Sequence, residues 1–164
     1  MRQREETPEA VYIHIPFCTN KCHYCDFNSY VLSGQPVDDY LDALEREMEA
    51  AVREVPPGVV RTVFIGGGTP TVLSPMQLER LFRAIRHHFP NWSANAEITV
   101  EANPGTVDGE KLRALREGGA NRLSFGAQSF DDGLLSAIGR IHASRDVIRS
   151  IEEARAAGFS NLSI

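Results

Sequence analysis

Three cysteines fall within eight residues, Cys18-Thr-Asn-Lys-Cys22-His-Tyr-Cys25, and the chain has no others. A gap of three residues followed by a gap of two lets three thiolates converge from one short loop onto one inorganic centre. Iron–sulfur clusters ordinarily take four cysteine ligands. Three thiolates fill three corners of a cubane and leave the fourth iron open, which points to chemistry at the cluster rather than electron storage alone. A structural zinc site is the bland alternative, with His14 or His23 completing a Cys3His set. A disulfide is a weaker reading, because the count is odd and no secretory leader is visible in Met1–Glu9.

The loop must be held by regular elements. Five short apolar runs read as strands: Val11–Ile15, Thr62–Ile65, Glu97–Glu101, Arg122–Phe125 and Asn161–Ile164. Between them, apolar residues recur at three and four. Leu41, Leu44, Met48, Ala51, Val52 and Val55 form one helical face; Leu78, Leu81, Phe82, Ile85 and Phe89 form a second. Ser74-Pro75-Met76-Gln77 predicts the start of that second helix through a cap, a first-turn proline and a capping box. Shorter helices are expected over 108–117, ending at Gly118-Gly119, over 131–138, and over 144–157, ending at Gly158. Alternating strands and helices with connections too long for hairpins predict an α/β fold on a parallel sheet, either a barrel or a doubly wound sheet. The last residues enter a strand and stop, so residues 1–164 are expected to form one domain that is incomplete at its C-terminus.

With 164 residues the chain is long enough for one packed core. No apolar run approaches the length of a membrane span. A net charge of −5 argues against a general nucleic-acid binder. Arg80, Arg83 and Arg86 read as a solvated helix face. Clustered reduced cysteines without a leader fit the cytoplasm.

Each polar motif falls just after an expected strand, where sites of parallel α/β folds lie. The cysteine loop follows the first, Gly66-Gly67-Gly68-Thr69-Pro70 the second, Glu101-Ala102-Asn103-Pro104-Gly105 the third, and Gly126-Ala127-Gln128-Ser129-Phe130 the fourth. The glycine run lets a ligand approach the backbone, yet it lacks the Lys-Ser/Thr ending of a phosphate loop. Taken alone, it reads as a tight turn. Glu101, Gln128 and Arg140 each suit a ligand's polar groups, but singly they read as surface residues. His142 and the His87-His88 pair read as ordinary polar residues, and Trp92 has no evident partner.

Taken together, these stretches resemble the radical S-adenosylmethionine (SAM) superfamily. The stretches Tyr12-Ile-His-Ile-Pro-Phe-Cys18, Phe64-Ile-Gly-Gly-Gly-Thr-Pro70, Glu101-Ala-Asn-Pro104, Phe125-Gly-Ala-Gln-Ser-Phe130 and Gly139-Arg-Ile-His142 are most similar to its coproporphyrinogen III dehydrogenase-like branch. The resemblance implies five βα units of a partial (β/α)6 barrel. It implies a 4Fe–4S cluster on Cys18, Cys22 and Cys25. SAM on that cluster would touch Tyr12, Tyr24, Gly67 and Glu101. Gly68, Thr69, Gln128 and Arg140 match residues that hold a second SAM.

Two departures separate the dehydrogenases from the heme-chaperone members of the branch. The dehydrogenases carry a fourth cysteine two residues after the third, where this chain has Phe27, and a long extension before the first strand, where only about ten residues precede Tyr12. The expected function is therefore a heme chaperone carrying a SAM-bound cluster. The alternative is an oxygen-independent coproporphyrinogen III dehydrogenase of porphyrin biosynthesis. Implied partners are heme or a porphyrinogen, a reductant protein and a heme-acceptor protein. The family's heme-ligating His-Asn-x-x-Tyr-Trp motif is not in this sequence.

Overall fold

The computed structural model describes residues 7–164, so the leader reading of Met1–Glu9 lies mostly outside it. The elements run β1 (Ala10–Ile15), β2 (Phe17–Cys18), β3 (Tyr30–Val31), α1 (Val37–Glu54), β4 (Val60–Gly67), α2 (Pro75–His88), β5 (Trp92–Ala102), α3 (Gly109–Gly118), β6 (Arg122–Phe125), α4 (Asp132–Ala137), α5 (Ser144–Ala156) and β7 (Asn161–Ser163). A single 3-10 turn, Pro70–Val72, joins β4 to α2.

Five strands form one sheet in the order β1-β4-β5-β6-β7, and every pairing is parallel. Each new strand is added beside the previous one, with no reversal of direction across the sheet. A doubly wound sheet reverses at a switch point; this order does not, so the barrel-type alternative holds. Right-handed crossovers then keep the connecting helices on one face.

The strand period of two sorts the side chains. Ile13, Ile15, Val63, Ile65, Ile98, Val100 and Leu123 are buried in one apolar cluster with Leu41, Met48, Leu78, Phe82, Ile85, Leu112 and Leu115 of the helices. Each such side chain contributes about 1.5–3 kcal/mol on burial. The opposite face is polar and aromatic, with Tyr12, His14, Phe64, Thr99, Glu101 and Arg122 on alternate positions. Arg122 spans it, donating to Thr99 Oγ1 at 3.3 Å and Ser163 Oγ at 3.1 Å and pairing with Glu97.

The helix starts follow their local chemistry. Ser74 accepts from the Gln77 amide at 3.2 Å, and Gln77 Oε1 accepts from the Ser74 amide at 3.0 Å, so the expected capping box is formed. Asp108 and Asp131 cap α3 and α4 through their carboxylates alone, accepting from the Lys111 and Leu134 amides. Gly119 ends α3 in the left-handed region at φ 105°.

Four features differ from the sequence expectation. Strand β4 runs through Gly66 and Gly67, which pair with His14 and Ile15, so the glycine run is strand end and not a free turn. Strand β5 begins at Trp92, five residues before the apolar run. The guanidinium of Arg86 lies over the Trp92 ring, 3.2 Å from its centroid, so that tryptophan does have a partner. Arg80 pairs with Asp42 and Glu45 across to α1. Among the described residues no helix is long and apolar enough to cross a membrane.

Candidate metal and cofactor site

The cysteine loop leaves the sheet after β1 and is closed by a two-residue parallel bridge between β2 and β3, Phe17 beside Tyr30 and Cys18 beside Val31. The loop is pinned from outside. His23 donates its amide to Ile138 O at 3.1 Å, its Nδ1 meets Ala137 O at 3.1 Å, and Asn20 Nδ2 donates to Gly139 O at 2.8 Å. The segment Ala137–Gly139 therefore acts as a clamp on the loop, and Arg140 adds a contact to Cys22 Sγ. Lys21 Nζ secures the returning limb by donating to Phe27 O and Ser29 O.

The three free thiols open onto a cavity of about 710 Å3, comparable with known small-ligand sites. Its opposite wall is built from the carboxyl ends of β4, β5 and β6. Gly67, Gly68 and Thr69 come from the first, Glu101 and Asn103 from the second, and Gly126 to Phe130 from the third; Tyr24 and Arg140 complete it. Gly67 donates its amide to Glu101 Oε2 at 3.0 Å, which fixes that carboxylate at the rim. Gly68 is required by close approach: a Cβ there would meet the carbonyl oxygens of Phe17 and Ile15, which receive the Thr69 and Gly68 amides at 2.7 and 2.8 Å. Gln128 adopts φ 70°, a left-handed conformation costly for a residue with a Cβ, and lines the same cavity.

Ten of the eleven site residues expected from sequence meet at this cavity; Tyr12 does not. Its hydroxyl bonds His14 Nδ1 at 2.9 Å and its ring stacks on Phe64. Partial burial, then the charge of Glu101, pushes the Tyr12 phenol up. Burial also pushes the Tyr24 phenol up, opposed by Arg140 and reinforced by Cys22. Phe27 lines the cavity but is 64 % exposed. His142 is buried, with Nε2 3.1 Å from Ala127 O, and it braces the Gln128 loop. Sequence reasoning missed Lys21, and it quoted Asn103 without a role.

The donor set fits a cubane. Its cysteines bind separate irons, so they need not close on one point. Among the described residues no three His, Cys, Asp or Glu side chains gather closely enough for a single ion. Both histidines named for zinc are engaged elsewhere, His14 between Tyr12 and Asn28 O and His23 against Ala137 O. Arg140 Nε is buried without a partner on the cavity wall, a donor left for a bound group.

The profile of the Radical SAM superfamily matches residues 12–164, and the chain belongs to that superfamily. Membership brings the family's cofactors, a 4Fe–4S cluster and SAM. Among curated relatives, the heme chaperone HemW of Bacillus subtilis is 51 % identical over 95 % of this chain and 41 % of its own. HemW of Escherichia coli is 41 % identical over 96 % of this chain and 42 % of its own. In fold, the chain is similar to the coproporphyrinogen III oxidase HemN of Escherichia coli, with a TM-score of 0.86 and 35 % identity over 96 % of this chain and 36 % of that one. The chain thus spans about two fifths of the length of the curated relatives it matches.

Proposed function

We propose that this chain is the cluster- and SAM-binding domain of a heme chaperone of the HemW type. The observation that carries the reading is the facing of three free thiols from one loop against Gly67, Gly68, Glu101 and Gln128 at neighbouring strand ends. In this reading Cys18, Cys22 and Cys25 hold the cluster. When bound, the cluster supplies an open iron for the amino and carboxylate groups of SAM and an electron for its sulfonium. Glu101, already fixed by the Gly67 amide, orients the ligand's hydroxyls or ammonium. The Gly67-Gly68 backbone gives the close approach, and Tyr24 covers one side. Gly68, Thr69, Gln128 and Arg140 offer polar contacts to a second SAM or to a carboxylate. The clamp formed by the end of α4 and Gly139-Arg140 holds the loop in place.

Identity to HemW chaperones along nearly the whole chain supports heme as the cargo, passed to an acceptor protein in the cytoplasm after reduction by a partner protein. Phe27 supports the same side: it cannot supply a thiol beside the cavity. The second reading, oxygen-independent coproporphyrinogen III dehydrogenase, is favoured by the likeness to HemN. Anaerobic titration with heme, run beside incubation with coproporphyrinogen III, SAM and a reductant, separates the two. The chaperone reading expects heme binding without decarboxylation. Conversion to protoporphyrinogen IX with carbon dioxide and 5′-deoxyadenosine in proportion would overturn it.

A further inference from the structure

Asn103 stands directly after β5, at the first position of the turn Asn103-Pro104-Gly105-Thr106. Pro104 presets the second position and Gly105, at φ 80°, supplies the third, which is the chemistry of a type II turn. The turn is tied on several sides. The Thr106 amide donates to Asn103 O at 3.1 Å and Thr106 Oγ1 to the same oxygen at 2.7 Å. The Gly105 amide donates to Ser150 Oγ of α5 at 3.0 Å, and Lys111 Nζ donates to Thr106 O at 3.1 Å. Asn103 is thus aimed by a rigid turn rather than by a mobile loop.

Its side chain reaches in two directions. Nδ2 donates to Thr69 Oγ1 at 2.9 Å, and the hydroxyl of Thr69, a residue only 1 % exposed, donates to Cys18 Sγ at 3.6 Å. Oδ1 accepts from Arg140 Nη2 at 3.3 Å, an Nη2 that also donates to Gly126 O, and Arg140 Nη1 donates to Cys22 Sγ at 3.5 Å. The hydroxyl of Thr69 has one proton. Because Asn103 already donates to its oxygen, that proton is left for the sulfur. The amide thereby sets the direction of one bond and the place of the other.

We propose that Asn103 is a positioning residue for the cysteine thiolates, holding one hydrogen-bond donor on Cys18 through Thr69 and a second on Cys22 through Arg140. The proposal rests on the reading that these cysteines hold the cluster. Donors to ligand sulfur stabilise negative charge there, and a reduced cluster carries one more electron than an oxidised one. The pair therefore favours the reduced form and raises the reduction potential.

The test uses the full chain, reconstituted anaerobically, with iron and sulfide content and the midpoint potential as readouts. Thr69→Val keeps the shape and removes the hydroxyl. Asn103→Ala removes the anchor that directs the Thr69 proton and one of the two acceptors that hold Arg140, Gly126 O being the other. Each is expected to disfavour reduction by tenfold or more, a shift of about 59 mV for a one-electron couple, while iron content stays near that of the parent. Thr69→Ser restores the hydroxyl and should restore the parent potential. If Thr69→Val and Asn103→Ala hold full iron at the parent potential, the proposal is overturned and the cluster reading stands. A parent that takes up no iron overturns both. If Thr69→Val loses its iron with helix content intact, Thr69→Ser decides: retention supports the donor role, and loss overturns it.

Discussion

At the scale of the residue, position 27 and position 142 make opposite predictions. Phe27 is exposed and lines the cavity, so its ring contributes little to packing. Phe27→Ala should leave stability within about 0.5 kcal/mol of the parent and leave iron content unchanged, by thermal melting and iron assay. His142 is buried, and burial holds its imidazole below the ordinary value; Arg140 pushes the same way, while the Ala127 carbonyl and Asp146 oppose it. Below about pH 6.5 the unfolded chain takes a proton at this position that the folded chain resists. Stability should therefore fall as pH drops through that window and be full above it. His142→Gln should flatten that part of the curve, as read from urea midpoints between about pH 5 and about pH 8.

At the scale of the element, the α2–α3 contact is the tightest to test. A Cβ on Gly118 would run into the Phe82 ring, which is buried in the core. Gly118→Ala should cost about 1–3 kcal/mol by overpacking, measured by denaturant unfolding. Ser74→Ala, which removes one half of the capping box, should cost about 1 kcal/mol. These caps and faces were legible in the sequence because they depend on local spacing. Strand β5 was read short because Ser93 and Asn95 are polar and Trp92 stands alone; the pairing of Val60 with Trp92 that recruits them is long-range. The β2–β3 bridge is two residues long, below any period. Gly66-Gly67 read as a turn because glycine carries no strand signal, although pairing with His14 and Ile15 of β1 fixes it in the sheet. The cysteines were legible by type and spacing. Tyr12 shares the polar face of the sheet but stands three residues before the end of β1, short of the strand ends where the cavity opens.

At the scale of the molecule, core and site are separated. The apolar cluster lies between sheet and helices, whereas the cavity lies at the strand ends, closed by a loop that hydrogen bonds hold. Stripping iron with a chelator should therefore leave helix content and the unfolding transition largely in place, by circular dichroism. Cys18→Ser, Cys22→Ser and Cys25→Ser should each abolish uptake of about four irons while the protein still folds. Collapse of the fold on iron removal would show instead that the cluster is a structural staple.

Trp92, the chain's single tryptophan, sits at the first residue of the strand whose last residue, Ala102, lines the cavity. Ten strand steps separate them, about 33 Å. Its ring is covered by Arg86 and its Nε1 donates to Phe89 O. Nature has thus left a fluorophore at the far end of the sheet. Its emission wavelength will follow the docking of α2 against β5 and stay unmoved when ligands enter the cavity. A red shift on heating will then mark loss of the fold itself, while cluster colour marks loss of the cofactor. The two signals, read in one cuvette, separate a variant that has lost its iron from one that has lost its structure.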